Sequence, residues 1–121
     1  VTGNPHAVAL QSVTKSTIEH CSFINSVTGI AILDSTKVML RECTGCNNGQ
    51  AGFSLVRSNF NTLFDCQAFD NGSTAQGNAY GFVSYEGTGN TFKGCTAQDT
   101  QTTSTGYWNF AAGFGLVGNE T

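Results

Sequence analysis

The sequence predicts an all-β fold, a parallel β-helix in which every coil contributes three short strands. One observation is a recurring block of the TIEHC type, which ends at steps of 22, 23 and 29 residues on Cys21, Cys43, Cys66 and Cys95. Another is an apolar segment that begins eleven residues before the apolar residue at the second position of each block: AVAL at 7, GIAI at 29, GFSL at 52 and GFVS at 81. The composition, with 15 Gly, one Pro and 11% charged residues, lacks runs of helix formers. A period near 22 residues in such a chain is typical of a solenoid.

Hydrophobic alternation defines the three strands of each coil. The first strand is predicted at 7–10, 29–33, 52–56 and 81–85, with alternate residues facing the interior. The second strand lies in the cysteine block and points one residue per coil inward, namely Ile18, Leu40, Leu63 and Phe92. Its outward residues are Glu19, Arg41, Phe64 and Lys93. A third short strand follows each cysteine and carries Phe23, Gly45, Ala68 and Ala97, and a turn rich in Asn, Asp and Gly closes the coil.

A single domain is predicted over residues 1–121, with about 4.5 coils of 22–32 residues. Its coils lie at about 7–28, 29–51, 52–80 and 81–112, and GFGL begins a partial coil at 113–121. Stacking creates the core, because one coil alone cannot bury its apolar face. Both ends expose sheet edges, which favours end-to-end self-association or neighbouring coils of a longer chain. We therefore expect the chain to be a fragment of a longer rod.

Coils three and four carry insertions at one register, 72–80 and 100–112. Insertions at one register protrude on one side of a solenoid, which is commonly the functional side. Four aromatic residues lie in them: Tyr80, Tyr107, Trp108 and Phe110. Flat aromatic faces suit sugar rings, so these residues form a predicted carbohydrate site. The alternative is that the loop folds back and packs them against the rod.

Polar residues recur at the bend between the second and third strands. Stacked coils place His20 beside Glu42, and Glu42 beside Asp65. This column is the candidate for an acid–base group or a cation site. The alternative is that these are turn residues that make local hydrogen bonds. Glu19 and Arg41 fall on the outer face of adjacent coils and could form an ordinary surface ion pair of little energetic value.

The regular cysteine column predicts thiols that are reduced, buried and stacked. Stacked parallel side chains meet the torsion of a disulfide poorly, and buried thiols pack as small hydrophobes. Cys43 and Cys46 match half of a zinc or redox motif, but the sequence shows no second pair of ligands. No metal and no cofactor are therefore predicted.

Two further features concern packing. The glycine that opens most coils, as at Gly29 and Gly52, is expected to provide either an unusual backbone geometry or a close approach between coils. Asn61 and Asn90 share one register and are expected to stack their side-chain amides into a ladder.

The charge pattern limits the partners. The net charge is −3, and the five basic residues are scattered rather than gathered in a stripe. A nucleic-acid partner is therefore not expected. No apolar run approaches the roughly 18 residues of a membrane span.

The coils resemble the right-handed parallel β-helix repeats of the pectin lyase-like superfamily, in particular its short-repeat members with N-x-x-I-x-x-C and G-[IF]-x-[LIV] segments. The resemblance covers residues 7–121 and implies the right hand, which the rule for parallel crossovers also favours. The superfamily includes polysaccharide lyases, glycosidases, epimerases and surface proteins. Its paired-aspartate, Gly-His-Gly and Asp-Pro-His signatures do not occur in this sequence.

We therefore predict a structural or recognition segment of a β-helical rod, at an extracellular or other surface location, without catalytic residues in this stretch. Polysaccharide or another glycan is its expected partner. The alternatives are a fragment of an enzyme acting on acidic polysaccharide, with its site on the outer face, and a carbohydrate-binding module that uses the aromatic insertion.

Overall fold

The computed structural model describes residues 6–72, 79–98 and 111–117, which form thirteen strands in three parallel sheets. The first sheet contains β1 (His6–Gln11), β4 (Thr28–Leu33), β7 (Ala51–Val56), β10 (Ala79–Tyr85) and β13 (Ala111–Val117). The second sheet contains β2 (Thr17–Glu19), β5 (Met39–Arg41), β8 (Thr62–Phe64) and β11 (Thr91–Lys93). The third contains β3 (Ser22–Ile24), β6 (Thr44–Cys46), β9 (Gln67–Phe69) and β12 (Thr96–Gln98).

The register of the second sheet is the one that the repeat predicts. Ile18 pairs with Leu40 and Leu40 with Leu63, and Leu63 in turn pairs with Phe92. The all-β fold with three parallel strands per coil is therefore confirmed. Strands of the first sheet begin one or two residues earlier than predicted, so Ala79 and Tyr80 belong to β10.

The core lies between the three sheets and is continuous along the stack. Ile30, Leu40, Phe53 and Leu63 have no exposed surface. Phe53 stacks on Phe82 at 4.7 Å between ring centroids, and Phe82 stacks on Phe114 at 4.9 Å. Several core residues of the first coil, such as Ile18, are only half-buried, because no described coil covers them, whereas Phe23 is buried.

Thirteen non-glycine residues among those described adopt a positive φ, and they line up in columns at the bends. At the second bend the column consists of His20, Glu42 and Asp65, whose φ values are 55°, 51° and 53°. Their backbone N–H groups still bond across the stack: that of His20 donates to the carbonyl of Arg41 over 3.0 Å. The left-handed conformation turns the chain sharply without losing the hydrogen bonds that join the coils.

Buried polar side chains form ladders inside the bends. The predicted Asn61–Asn90 ladder is confirmed: Nδ2 of Asn61 donates to Oδ1 of Asn90 over 3.1 Å. A second amide ladder joins Asn48 to Asn71, also over 3.1 Å. Ser58 adds a third, since its hydroxyl accepts the backbone N–H of Ser35 over 3.0 Å.

The glycines that open the coils allow close approach. A Cβ at Gly29 would lie 2.5 Å from the carbonyl oxygen of Gly52 and 2.9 Å from Nδ2 of Asn48. A Cβ at Gly52 would likewise lie 2.9 Å from Nδ2 of Asn71. Of the two predicted reasons for these glycines, the close approach is confirmed, because neither residue has a positive φ.

Candidate functional site

The outer face of the second sheet carries one aromatic ring between two cations. Cζ of Arg41 lies 5.8 Å from the centroid of the Phe64 ring, and Nζ of Lys93 lies 6.0 Å from the same centroid. Arg41 and Lys93 are exposed, whereas Phe64 is half-buried. We call these three residues the cation–aromatic face.

Strand length explains why these side chains point outward. Each strand of the second sheet has three residues, and its middle residue enters the core, so the third must face outward. Parallel register then stacks Arg41 on Phe64 and Phe64 on Lys93. Cations over an aromatic ring are attracted by its quadrupole. The ring therefore restrains both side chains on the surface.

Neither cation of this face forms an ion pair with an acid that the structure describes. The ion pairs found within residues 6–72, 79–98 and 111–117 join His20 to Glu42 and Arg57 to Asp34. The ion pair that Glu19 and Arg41 could form is therefore not found, and Arg41 instead approaches the ring of the next coil. Within the described residues, Arg41 and Lys93 therefore form no ion pair, although Glu19 lies beside Arg41 in the register of the sheet.

The polar column predicted at the second bend is only partly assembled. Nδ1 of His20 lies 2.9 Å from Oε2 of Glu42, and the two side chains are 68% and 52% exposed. Asp65 does not join them in a hydrogen bond or ion pair. Its carboxylate lies over Gly94 of the next coil, in the space that a side chain there would occupy. The structure therefore brings together two of the three predicted residues.

A bidentate ion pair lies at the first bend. Nε of Arg57 donates to Oδ1 of Asp34 over 2.8 Å, and Nη2 donates to Oδ2 over 3.3 Å. This bonding lowers the pKa of Asp34 below its ordinary value and raises that of Arg57. Both side chains are exposed, so the pair resembles a surface ion pair of small energetic value.

The aromatic residues of the predicted carbohydrate site are only partly described. Tyr80 is 2% exposed and packs against Val83 and Tyr85, and its ring lies against Gly115. Burial, aided by Tyr80, raises the pKa of Tyr85 to about 12. Tyr80 therefore presents no open face to a sugar. Tyr107, Trp108 and Phe110 lie outside the described residues, and the site assigned to them stays a prediction.

All five cysteines are free thiols, and four of them form the predicted column. Cys43 and Cys66 are fully buried, but Cys21 is exposed and Cys95 half-buried, because they lie at the ends of the column. Burial raises the pKa of Cys43, and also that of Cys46 on the outer side of the third sheet. The part of the chain that is described contains no cluster of three or more His, Cys, Asp or Glu that could hold a metal ion.

The sequence analysis predicts candidate sites only at the bends and insertions, so it does not include the cation–aromatic face. Its signal was present, because Arg41, Phe64 and Lys93 occupy one outward register of the repeat. Sequence alone does not decide between the two neighbours of Arg41 in this column, Glu19 and Phe64, because the choice depends on the side-chain conformation.

A family model described as a right handed beta helix region matches residues 1–121. The chain belongs to this β-helix family. The family match supports the right hand of the helix, and the three parallel sheets support the β-helix fold. The narrower likeness to the pectin lyase-like superfamily stays a prediction. No curated protein matches the chain.

A membrane-spanning helix is not found in the described part of this β-helix protein.

Proposed function

We propose that this β-helix chain is a structural and recognition segment of a rod, and that it binds anionic carbohydrate on its cation–aromatic face. The observation that carries the proposal is that Arg41 and Lys93 both approach the ring of Phe64 and form no ion pair with any described acid. The predicted partner, a polysaccharide or other glycan, is thereby narrowed to one that bears carboxylates.

The spacing of the two cations suits an extended polymer. Two coil steps of about 4.8 Å place the guanidinium of Arg41 and the ammonium of Lys93 roughly 10 Å apart along the rod. A uronate polymer that lies along the rod presents carboxylates at regular intervals. Arg41 can donate two parallel hydrogen bonds to such a carboxylate, and Lys93 provides a compact point charge.

The surroundings of the face favour recognition rather than turnover. Glu42, in the neighbouring bend column, is engaged by His20, and Asp65 turns towards Gly94. Both acids of the neighbouring bend column are therefore engaged away from the ring of Phe64. This arrangement supports a binding segment of the rod.

Binding to uronate polymers, measured by calorimetry with a neutral glucan for comparison, tests the proposal. We expect binding to the uronate polymer alone, weakening as salt is added. The double variant R41Q/K93Q should lose about tenfold or more in affinity, as removal of two charge-assisted contacts implies. The matched control K15Q/K37Q removes the same charge from another column and should retain most of the affinity.

The outcomes separate the competing sites. Equal losses in the two double variants would reduce the interaction to net charge and contradict a site on this face. Loss in Trp108→Ala with retention in R41Q/K93Q would place the carbohydrate on the insertion instead. Absence of binding to every polymer would refute the recognition role.

An enzyme acting on acidic polysaccharide is the second candidate, and the His20–Glu42 contact of 2.9 Å is the observation in its favour. A histidine oriented by a carboxylate is a common general base. Uronate polymers incubated with the protein should show no new reducing ends or unsaturated products if the segment only binds. Turnover abolished by Asp65→Ala or Glu42→Gln would instead establish the enzyme.

A further inference from the structure

The closing turns of two consecutive coils each contain an asparagine followed by glycine: Asn48 precedes Gly49, and Asn71 precedes Gly72. Asparagine before glycine is prone to deamidation, because glycine has no Cβ to hinder its backbone nitrogen when that nitrogen attacks the preceding carboxamide. Both asparagines belong to the second amide ladder, and neither has exposed surface. Their reactivity therefore depends on whether the coils that bury them stay closed.

The first coil holds both reacting groups at Asn48 and Gly49. Oδ1 of Asn48 accepts the backbone N–H of Ser26 over 3.1 Å, and its Nδ2 donates to the carbonyl of Phe23 over 2.9 Å. The backbone N–H of Gly49 donates to the carbonyl of Ser26 over 2.6 Å. Attack needs a free amide nitrogen and a carboxamide that can turn towards it, so these bonds suppress the reaction.

The second coil holds the reacting groups at Asn71 and Gly72. Oδ1 of Asn71 accepts the backbone N–H of Asn48 over 3.1 Å, and its Nδ2 donates to the carbonyl of Gly45 over 2.9 Å. The backbone N–H of Gly72 donates to the carbonyl of Asn48 over 2.7 Å. Opening of the first coil breaks none of these bonds, so the two asparagines respond to different coils.

The first coil is expected to open more readily than the second. Among the described strands β1 pairs with β4 alone, and its inward residues Val8 and Leu10 are only half-buried. Each coil contacts only its neighbours, so detachment of this coil breaks a single interface. Such an opening releases Asn48 and Gly49 together while Asn71 stays closed.

We infer that Asn48 is a self-modification site that deamidates when the first coil opens, and that the product keeps this coil from closing again. The backbone nitrogen of Gly49 attacks Cγ of Asn48, and the bond from Cγ to Nδ2 breaks. Nδ2 leaves as ammonia with the proton of the attacking amide. Water then opens the cyclic imide at either carbonyl, which yields aspartate or isoaspartate without any change of oxidation state.

The product does not fit the closed ladder. A carboxylate at position 48 has no proton to donate to the carbonyl of Phe23 or to Oδ1 of Asn71, the acceptors that Nδ2 of Asn48 now contacts at 2.9 and 3.1 Å. A buried charge that faces two acceptors is strongly disfavoured. Isoaspartate in addition lengthens the backbone shortly before β7. The modification therefore turns a transient opening of the first coil into a lasting one.

Incubation of the full 121-residue chain at mildly alkaline pH, followed by peptide mapping that separates aspartate from isoaspartate, tests this inference. Rates in concentrated urea, where the fold does not act, provide the reference for each site. Relative to that reference, Asn48 should deamidate about tenfold or more faster than Asn71 in native buffer, because release of Asn71 requires a second interface to open. Equal relative rates in native buffer, or no reaction at Asn48 while both sites react in urea, would overturn the inference.

Variants of β1 separate coil opening from the local sequence. Leu10→Ala weakens the first coil and should speed the reaction at Asn48 about fivefold or more, with the rate at Asn71 unchanged. Gln11→Ala, on the exposed face of the same strand, is the matched control and should leave both rates within about twofold. Equal acceleration at the two sites by Leu10→Ala would show that global unfolding controls the reaction. If Leu10→Ala does not fold, the native and urea rates of the unmodified chain decide.

Asn48→Asp introduces the product directly and tests its effect on the first coil. Amide hydrogens of β1 should exchange about tenfold or more faster than in the unmodified chain, because the closed ladder buries the new carboxylate. Asn47→Asp adds the same charge to the exposed neighbouring residue and should leave this exchange within about twofold. Unchanged exchange of β1 in Asn48→Asp would refute the claim that the product keeps the coil open.

Discussion

Asn71 illustrates how a single buried polar residue joins two coils. Its Oδ1 accepts the backbone N–H and the Nδ2 of Asn48, each over 3.1 Å, and its Nδ2 donates to the carbonyl of Gly45 over 2.9 Å. The side chain has no exposed surface, so every lost bond leaves a partner without water.

Asn71→Ala is therefore expected to lower the free energy of unfolding by about 3 kcal/mol or more, because three buried groups lose their partners. Urea denaturation followed by circular dichroism measures the change. Gln67→Ala, on the exposed face of the third sheet, is the control and should alter stability by less than about 0.5 kcal/mol. Similar effects from both substitutions would show that the ladder adds nothing specific.

The left-handed bends predict a substitution that stabilises the protein. Lys37 is exposed and has a φ of 58°, which costs an L-residue roughly 1–2 kcal/mol. Lys37→Gly removes that strain but makes the unfolded chain more flexible, so a net gain of about 0.5–1 kcal/mol is expected. Lys37→Val should destabilise, because a β-branched residue tolerates this region poorly. A loss of stability on Lys37→Gly would contradict the strain argument.

The sequence predicts some of these residue roles and not others. Asn61 and Asn90 occupy the same register of adjacent coils, so the stacking of their side-chain amides follows from the repeat. The sequence places His20 and Glu42 at a bend, where the structure also has them, but the left-handed backbone of Glu42 has no signature in residue type. Backbone strain of this kind is imposed by the closure of the coil.

At the scale of the elements, side chains at equivalent inward positions of successive strands stack on one another in the core. The ring of Phe53 stacks on that of Phe82 with an interplanar angle of 8°. The ring of Phe23 contacts Phe53 edge-on, with 6.1 Å between the ring centroids. The inward register of β4, β7 and β10 was predictable, because alternation in a strand leaves a single apolar face. The burial of Tyr80 was not, since the start of β10 depends on the path of an insertion that no repeat specifies.

Phe53→Ala should cost about 3–5 kcal/mol, because it removes a large buried ring and leaves a cavity between two others. The measurement is again equilibrium denaturation, with the slope of the transition checked for two-state behaviour. Phe60→Ala provides a matched control, since that ring is 59% exposed at a bend, and it should cost less than about 1 kcal/mol. Equal costs at the two positions would mean that the stack does not carry the core.

At the scale of the whole molecule, the chain is a one-dimensional stack in which each coil touches only its neighbours. The repeat predicted this architecture, because each coil carries the same apolar register. It did not predict how burial varies along the stack. The core residues Ile30 and Ile32 have no exposed surface, whereas the equivalent Val8 and Leu10 are only half-buried. The difference arises because β1 pairs on one side only, with β4.

This difference in burial and strand pairing along the stack predicts which coil unfolds locally first. Amides of β4 and β7 have a paired strand on each side, so hydrogen exchange there should require nearly complete unfolding. Amides of β1 should exchange at a lower free energy, since opening the first coil breaks one inter-coil interface instead of two. Exchange measured by NMR gives both values, and Leu10→Ala should accelerate β1 while β7 is left almost unchanged. Uniform protection through β1 and β7 would show that the stack unfolds as one cooperative unit, in which the terminal coil has no separate stability.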